Sequence, residues 1–268
     1  MDPLVSIIIP TRNSASTLPT CLSSVRRQTY KALEVIVVDN YSKDQTRRIA
    51  EEHGAKVYLK GPERSSQKNY GAKMAKGEYL YFIDADFILH PNVIEECIEL
   101  VRKGHDAVIV WNISDPRISV WSKARYYERL SYYGSGLYEA ARFIHRDLFW
   151  RIKGFDESLY ALEDYDLHLR LLKAGARIAR TRKTYEIHIG EPKDLRELTT
   201  KAIYYAKSIR RYVRKHARER AIVAQTLPIR PTFLTPKTIR MLTREWPPAL
   251  VLIPTMKLIQ AIAVLMAR

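Results

Sequence analysis

Apolar and polar positions alternate in blocks along the first 111 residues. Short apolar runs at 5–9, 33–38, 55–59, 79–83 and 107–111 read as strands, rich in Val, Ile, Tyr and Phe. Between them, 17–27, 44–53, 66–76 and 91–103 carry apolar residues at helical spacing. Pro10 stops the first strand, and Gly54 and Gly77 end the second and third helices. Strands alternating with helices of about ten residues predict an α/β fold, a mostly parallel sheet with helices on both faces.

In open α/β sheets ligands bind beyond the carboxyl ends of the strands. Polar residues collect at those ends: Pro10-Thr11-Arg12-Asn13 after the first strand, Asp39-Asn40 after the second, and Asp84-Ala85-Asp86 after the buried run at 79–83. Each cluster alone is compatible with turn and capping chemistry, since Asp and Asn favour both. Three clusters on one sheet edge point to a ligand. The chain lacks the GxGxxG and GxxxxGK[ST] fingerprints, and no glycine precedes Gly54, so a glycine-rich turn does not cradle phosphates here. A D-x-D pair can offset phosphate charge in another way, by holding Mg²⁺ or Mn²⁺, which in turn grips a diphosphate.

Charge changes the picture at the other end of the chain. The net charge is +16, yet residues 1–195 carry thirty Lys/Arg against twenty-six Asp/Glu. Residues 196–245 carry thirteen against three. Within that stretch Leu198, Ala202, Tyr205, Ile209, Tyr212 and Val213 recur at helical spacing. Lys201, Lys207, Arg210, Arg211, Arg214, Lys215, Arg218 and Arg220 fall between them. This is an amphipathic helix with a basic face, suited to an anionic membrane surface or to packing on the rest of the protein. Residues 248–266 are largely apolar but interrupted by Pro254, Lys257 and Gln260, which makes them marginal as a spanning helix. Cys21 and Cys97 form neither a metal pattern nor a disulfide framework, as suits a reducing compartment, and the N-terminus lacks the basic region of a signal peptide.

The motifs taken together resemble glycosyltransferase family 2, the inverting GT-A enzymes that use nucleotide-diphosphate sugars. Pro10-Thr11-Arg12-Asn13, Val38-Asp39-Asn40, Ser42 with Asp44 and Thr46, Asn69 with Gly71, and the run from Ala75 to Asp86 carry the resemblance. So does the stretch from Gly154 to Ile178, which is similar to the acceptor half of that family. Two departures stand out. The family is usually richer in acid and glycine than Asp39-Asn40-Tyr41-Ser42, and it often has a double glycine where this chain has Lys153-Gly154.

The resemblance implies roles. Asp39 would accept from the N–H edge of uracil or guanine, with Pro10, Thr11 and Arg12 lining the nucleoside pocket. Asp84, Ala85 and Asp86 would form the metal and sugar site, Asp86 binding Mn²⁺ or Mg²⁺ directly and Asp84 the sugar or ribose hydroxyls. Arg64 and Lys68 would neutralise diphosphate unless they are solvated surface cations, and Asn69 would shape the pocket. Asp164 would be the general base, with Glu163 orienting it or the acceptor. Asp166 reads as a helix-cap residue, and Arg170 as the partner of a local carboxylate. His188 is a further candidate metal or diphosphate contact. Core packing is the expectation for Trp111 and Trp150.

These readings divide the chain into a GT-A catalytic domain over 1–195 and basic and apolar membrane-associated helices over 196–268. The nucleotide-sugar half would span 1–111 and the acceptor half 112–195. The expected activity is metal-dependent, inverting transfer of a hexose from GDP-mannose or a UDP-hexose to a hydroxyl of a lipid-linked glycan at the cytoplasmic face of the membrane. Direct transfer to a polyprenyl phosphate is the alternative within the family. A nucleic-acid-binding role would explain the basic helix but not the two carboxylate clusters, and no nucleic-acid partner is expected. A sugar-nucleotide-binding module without activity would lack some position needed for chemistry, and none is missing.

Overall fold

The structure is a computed structural model that describes residues 2–136, 138–219 and 230–267. Arg220, the last cation of the basic series, lies outside the described residues. The chain divides into two compact units, one of residues 1–112 with 140–190 and one of 113–139 with 191–268.

The first unit is built on an eight-stranded sheet. Its strands are β1 (Val5–Thr11), β2 (Leu33–Asp39), β3 (Lys56–Leu59), β4 (Tyr79–Phe82), β5 (Phe87–Leu89), β6 (Ala107–Ser114), β7 (Phe143–His145) and β8 (Ile178–His188). The order across the sheet is β3-β2-β1-β4-β7-β6-β8-β5. β1, β2, β3 and β4 run parallel, whereas β7 is antiparallel to both β4 and β6, and β5 to β8. The sheet is therefore mixed. The parallel half comes from the strand–helix alternation visible in the sequence, and the antiparallel half from segments that return across the sheet. β1 runs past Pro10 to Thr11, because beyond Ile8 it pairs only with β2 and a proline there costs at most one ladder bond.

Helices α1 (Leu18–Arg26), α2 (Thr46–Glu52), α3 (Arg64–Met74), α4 (Val93–Arg102), α6 (Arg146–Arg151) and α7 (Glu163–Lys173) complete this unit. All seven residues of β1 are buried, and they alternate between two cores. Val5, Ile7 and Ile9 join Leu18, Leu22, Val93, Ile94 and Ile98 of α1 and α4. Ile8 joins Ala72 of α3, Phe149 of α6, and Leu167 and Leu171 of α7. A strand covered on both faces must be apolar at every position, which is why β1 shows no alternation.

The second unit holds α5 (Val120–Tyr132), α8 (Leu195–Lys215), a short 3-10 turn (Pro231–Leu234), α9 (Pro236–Glu245) and α10 (Ala249–Met266). Ala124, Tyr127, Phe233, Leu242, Ala249 and Ile253 form its core. Residues 113–139 belong here rather than with the sheet, because α5 packs on α10 and on the 3-10 turn. The predicted basic helix is α8. Its Ala202 and Ala206 pack on Ala263 of α10, so the apolar stripe faces inside the unit and the cations stay at the surface. By length and composition α10 is long and apolar enough to cross a membrane. One side of it is nonetheless committed to protein: Lys257 is buried and pairs with Glu128 of α5 at 2.6 Å.

Candidate active site

The parallel pairing of β1, β2 and β4 brings three strand ends to one edge of the sheet, and the predicted site residues meet there. The loops after β1 and β2 are fastened together. Thr11 Oγ1 donates to Asp39 Oδ1 at 2.9 Å, the Ser42 backbone N–H donates to Asp39 Oδ2 at 2.8 Å, and the Ser42 hydroxyl donates to Oδ1. The Asn13 N–H donates to Ser42 Oγ at 2.7 Å, the Ser14 N–H to Thr46 Oγ1 at 2.7 Å, and the Ala15 N–H to Asp44 Oδ2 at 3.1 Å. Asp39 is completely buried, and these bonds leave about one lone pair, on Oδ2. Pro10 and Thr11 are also buried, while Arg12 is exposed.

Asp84, Ala85 and Asp86 form the loop from β4 to β5. The antiparallel pairing of β5 with β8 sets Phe87 opposite His188. It also puts His188 Nε2 3.2 Å from Asp86 Oδ2. Gly190 passes so close that a Cβ there would overlap the Asp86 carboxylate. Asp86 Oδ1 is buried with no hydrogen-bond partner among the described residues. An orphaned carboxylate oxygen beside an imidazole fits a hard divalent cation, with Asp86 as the direct ligand and His188 next to it. Among the described residues no three carboxylate, His or Cys groups converge as a protein-only metal cage. Burial would raise the Asp84 pKa, but Lys68, Arg64, Arg142 and His188 outweigh it and hold it down to about 2.

Glu163 and Asp164 open α7 and come within reach of this loop through α3. Lys68 Nζ lies 3.1 Å from Asp164 Oδ1, 3.2 Å from Glu163 Oε1 and 4.0 Å from Asp84 Oδ1. At 1% exposure Lys68 is not the solvated surface cation that its composition allows. Burial works against its charge, yet Asp164, Glu163 and Asp84 raise its pKa above the ordinary lysine value. Glu163 moves up, driven by burial and then opposed by Lys68. Arg64 stands 4.0 Å from Glu163 with about a third of its side chain exposed. Asn69 fastens α3 to the segment before α7: it donates to the Phe155 carbonyl at 2.9 Å and accepts from the Phe155 N–H at 2.8 Å. Asp166, fully buried, pairs with Arg170 at 2.7 Å, as expected of a local carboxylate and cation one turn apart.

Some residues of this region carry no readable sequence signal. Glu186, completely buried on β8, pairs with Arg142 and accepts from Tyr81 Oη at 2.8 Å and from Asn112 Nδ2 at 3.2 Å. Arg142 also stacks 4.8 Å from the centre of the Phe87 ring and is one of the charges acting on Asp84. The partners of Glu186 lie between 44 and 105 positions away, too far for any spacing rule. Trp150 is 41% exposed and does not fill the core as expected, because it points off the short α6 whose inward residues are Leu148 and Phe149. Trp111 is partly buried.

Comparisons with known proteins bear on the family and the fold. The model for glycosyl transferase family 2 matches residues 6–160. An uncharacterized glycosyltransferase of Rickettsia typhi is 34% identical over 192 residues, a match covering 65% of this chain and 60% of that protein. Among solved structures, a mannosyltransferase from Pyrobaculum calidifontis in complex with GDP-Man and Mn²⁺ superposes with a TM-score of 0.68. It is 18% identical, and the match covers 99% of this chain and 88% of that one. Staphylococcus aureus TarS (residues 1–349) in complex with UDP-GlcNAc gives 0.58 at 16% identity, covering 97% and 89%. At such identities the solved structures speak for the fold, which is GT-A. Since the family model covers more than half of the residues, the chain belongs to glycosyl transferase family 2.

Proposed function

We propose that this protein is an inverting glycosyltransferase that moves a hexose from GDP-mannose or a UDP-hexose to a hydroxyl of a lipid-linked glycan. The observation that carries the reading is the approach of Glu163 and Asp164 to the Asp84–Asp86 loop, with Lys68 within 4.0 Å of all three of Asp84, Glu163 and Asp164. One carboxylate cluster suits a donor and its cation, the other an acceptor, and inverting displacement needs both on one edge. GDP-Man is the donor bound in the mannosyltransferase structure, and UDP-GlcNAc, a uridine donor of an amino sugar, is the one bound in TarS.

In this reading Asp164 takes the proton of the acceptor hydroxyl as its oxygen attacks the anomeric carbon. The nucleoside diphosphate leaves from the opposite face with the bonding electron pair, and configuration inverts once. Mn²⁺ or Mg²⁺, when bound at Asp86, would supply charge neutralisation for the diphosphate. Asp84 would hold sugar or ribose hydroxyls, Pro10, Thr11 and Arg12 the nucleoside, and Arg64 the phosphates. The remaining Oδ2 lone pair of Asp39 suits one N–H of uracil or guanine. A lipid-linked acceptor suits the basic surface of α8 and the apolar length of α10, and places the reaction at the cytoplasmic membrane face.

The test is Asp164→Asn with chelation as its companion. Donor and Mn²⁺ binding by calorimetry should persist while transfer falls by about 10²-fold or more, the usual scale for losing a general base. EDTA should abolish turnover of the wild type, and Mn²⁺ or Mg²⁺ should restore it. Full turnover in EDTA would remove the metal from the mechanism. Normal transfer by Asp164→Asn to a polyprenyl phosphate, whose oxygen needs no base, would replace the hydroxyl acceptor with direct transfer to the lipid phosphate.

A further inference from the structure

A cation that neutralises a donor's diphosphate has to present its N–H groups to the open edge of the pocket. Lys68 does the opposite. It is 1% exposed, its Nζ sits 5.0 Å from the centre of the Phe155 ring, and its neighbours are the carboxylates of Asp164, Glu163 and Asp84. An ammonium has three N–H donors and no acceptor, so this lysine is matched by the protein itself. Arg64, a third exposed and at the rim, is the better-placed partner for phosphate.

We propose that Lys68 is a positioning residue that acts through Asp164. Its bond goes to Oδ1 and leaves the lone pairs of Oδ2 to take a proton, while the Asp164 side chain keeps 27% exposure. Because the same ammonium lies 4.0 Å from Asp84, it also fixes the base relative to the loop that ends β4, and thus relative to the donor side. The gain is a carboxylate held in one orientation within a partly buried site, where misplacement by an ångström is expensive. The inference rests on the reading of Asp164 as the base.

A double-mutant cycle tests it, using the full chain with Mn²⁺ and whichever of GDP-mannose and UDP-GlcNAc it turns over. Lys68→Met should lower kcat by about 10–100-fold and change the calorimetric donor Kd by less than about threefold. In an Asp164→Asn background the same substitution should cost less than about threefold more, since there is no base left to position. Lys68→Arg, which keeps a cation beside Asp164, should retain kcat within about tenfold. Should Lys68→Met fail to fold with its carboxylates left buried and uncompensated, Lys68→Gln combined with Glu163→Gln removes one charge of each sign, and a kcat well below that of Glu163→Gln alone, at unchanged donor Kd, is expected. A donor Kd weakened about tenfold or more with kcat intact would make Lys68 a phosphate ligand and overturn the proposal. So would fully multiplicative losses in the double variant. Wild-type transfer by Asp164→Asn alone would instead remove the base, and the proposal with it; the two failures read differently.

Discussion

Lys153 and Tyr41 hold φ values of +65° and +49°, in the left-handed region that glycine occupies without cost. Both carry a Cβ in a conformation that favours glycine, so each position is strained. The side chain of Lys153 is exposed and little would be lost with it. Relief of about 1–2 kcal/mol of strain exceeds the extra unfolded-state entropy of glycine, so Lys153→Gly should stabilise the protein by about 0.5–1 kcal/mol in chemical denaturation. A loss of stability would mean that the lysine makes a compensating contact. His168 belongs to the same scale. Burial and then the charge of Arg180 push its pKa down to about 4, and its Nδ1 accepts from the Ala141 N–H at 3.3 Å, a bond only an unprotonated Nδ1 can accept. The unfolded chain protonates this residue near pH 6.5, the folded one near 4, so the unfolded state binds more protons between those values. Stability should therefore fall as pH drops from about 6.5 to 4, by at most about 3 kcal/mol from this group. The midpoint of thermal unfolding followed over that window should decline more steeply for the wild type than for His168→Gln.

At the scale of elements, the site is a set of strand ends joined by helices. Asp39 ends β2, but its bonds to Thr11 and Ser42 make it the fastener between the β1 and β2 loops. Asp39→Ala should lose about 3 kcal/mol of stability through its buried hydrogen bonds and weaken donor binding at least about tenfold, read by denaturation and calorimetry on one preparation. Lower stability at unchanged donor Kd would show that the base is read elsewhere. Which strand ends gather was legible, because parallel strands with intervening helices must finish on one edge. That Asp44 and Thr46 serve mainly to fasten loops was not, since the same residue types suit turns, caps and ligands alike. β5, only Phe87–Leu89, was not legible either: three apolar residues carry no period, and its pairing with β8 joins positions about a hundred residues apart. That pairing is what brings His188 to Asp86.

At the scale of the whole molecule, α8 and α10 use their apolar residues differently from what their composition suggests. The apolar stripe of α8 is used against α10, whereas α10 leaves Val251, Leu258, Ile262, Leu265 and Met266 exposed on one face. An exposed apolar stripe in a strongly basic unit suits an anionic bilayer surface. Wild-type protein should float with vesicles containing anionic phosphatidylglycerol, and less so at high salt. Leu258→Glu with Ile262→Glu should reduce flotation several-fold without shifting the thermal midpoint, as neither side chain is in the core. Equal flotation by the double variant would assign membrane contact to another surface.

The sequence by itself determined the alternation of strand and helix, the edge on which the polar strand ends gather, the two carboxylate clusters and the family, because periodicity and strand-end chemistry are local properties. The Asp166–Arg170 pair was legible for the same reason, being one helical turn apart. Only the tertiary structure decided that Lys68 is buried between Asp84 and Asp164, that Arg142 and Glu186 join Tyr81 and Asn112, and that Gly190 must be a glycine to pass Asp86. It also decided that residues 113–139 pack with the C-terminal helices. These are contacts between side chains tens of residues apart. What makes a lysine a surface cation or a buried strut is the desolvation and charge that its distant neighbours impose, and no window along the chain contains them.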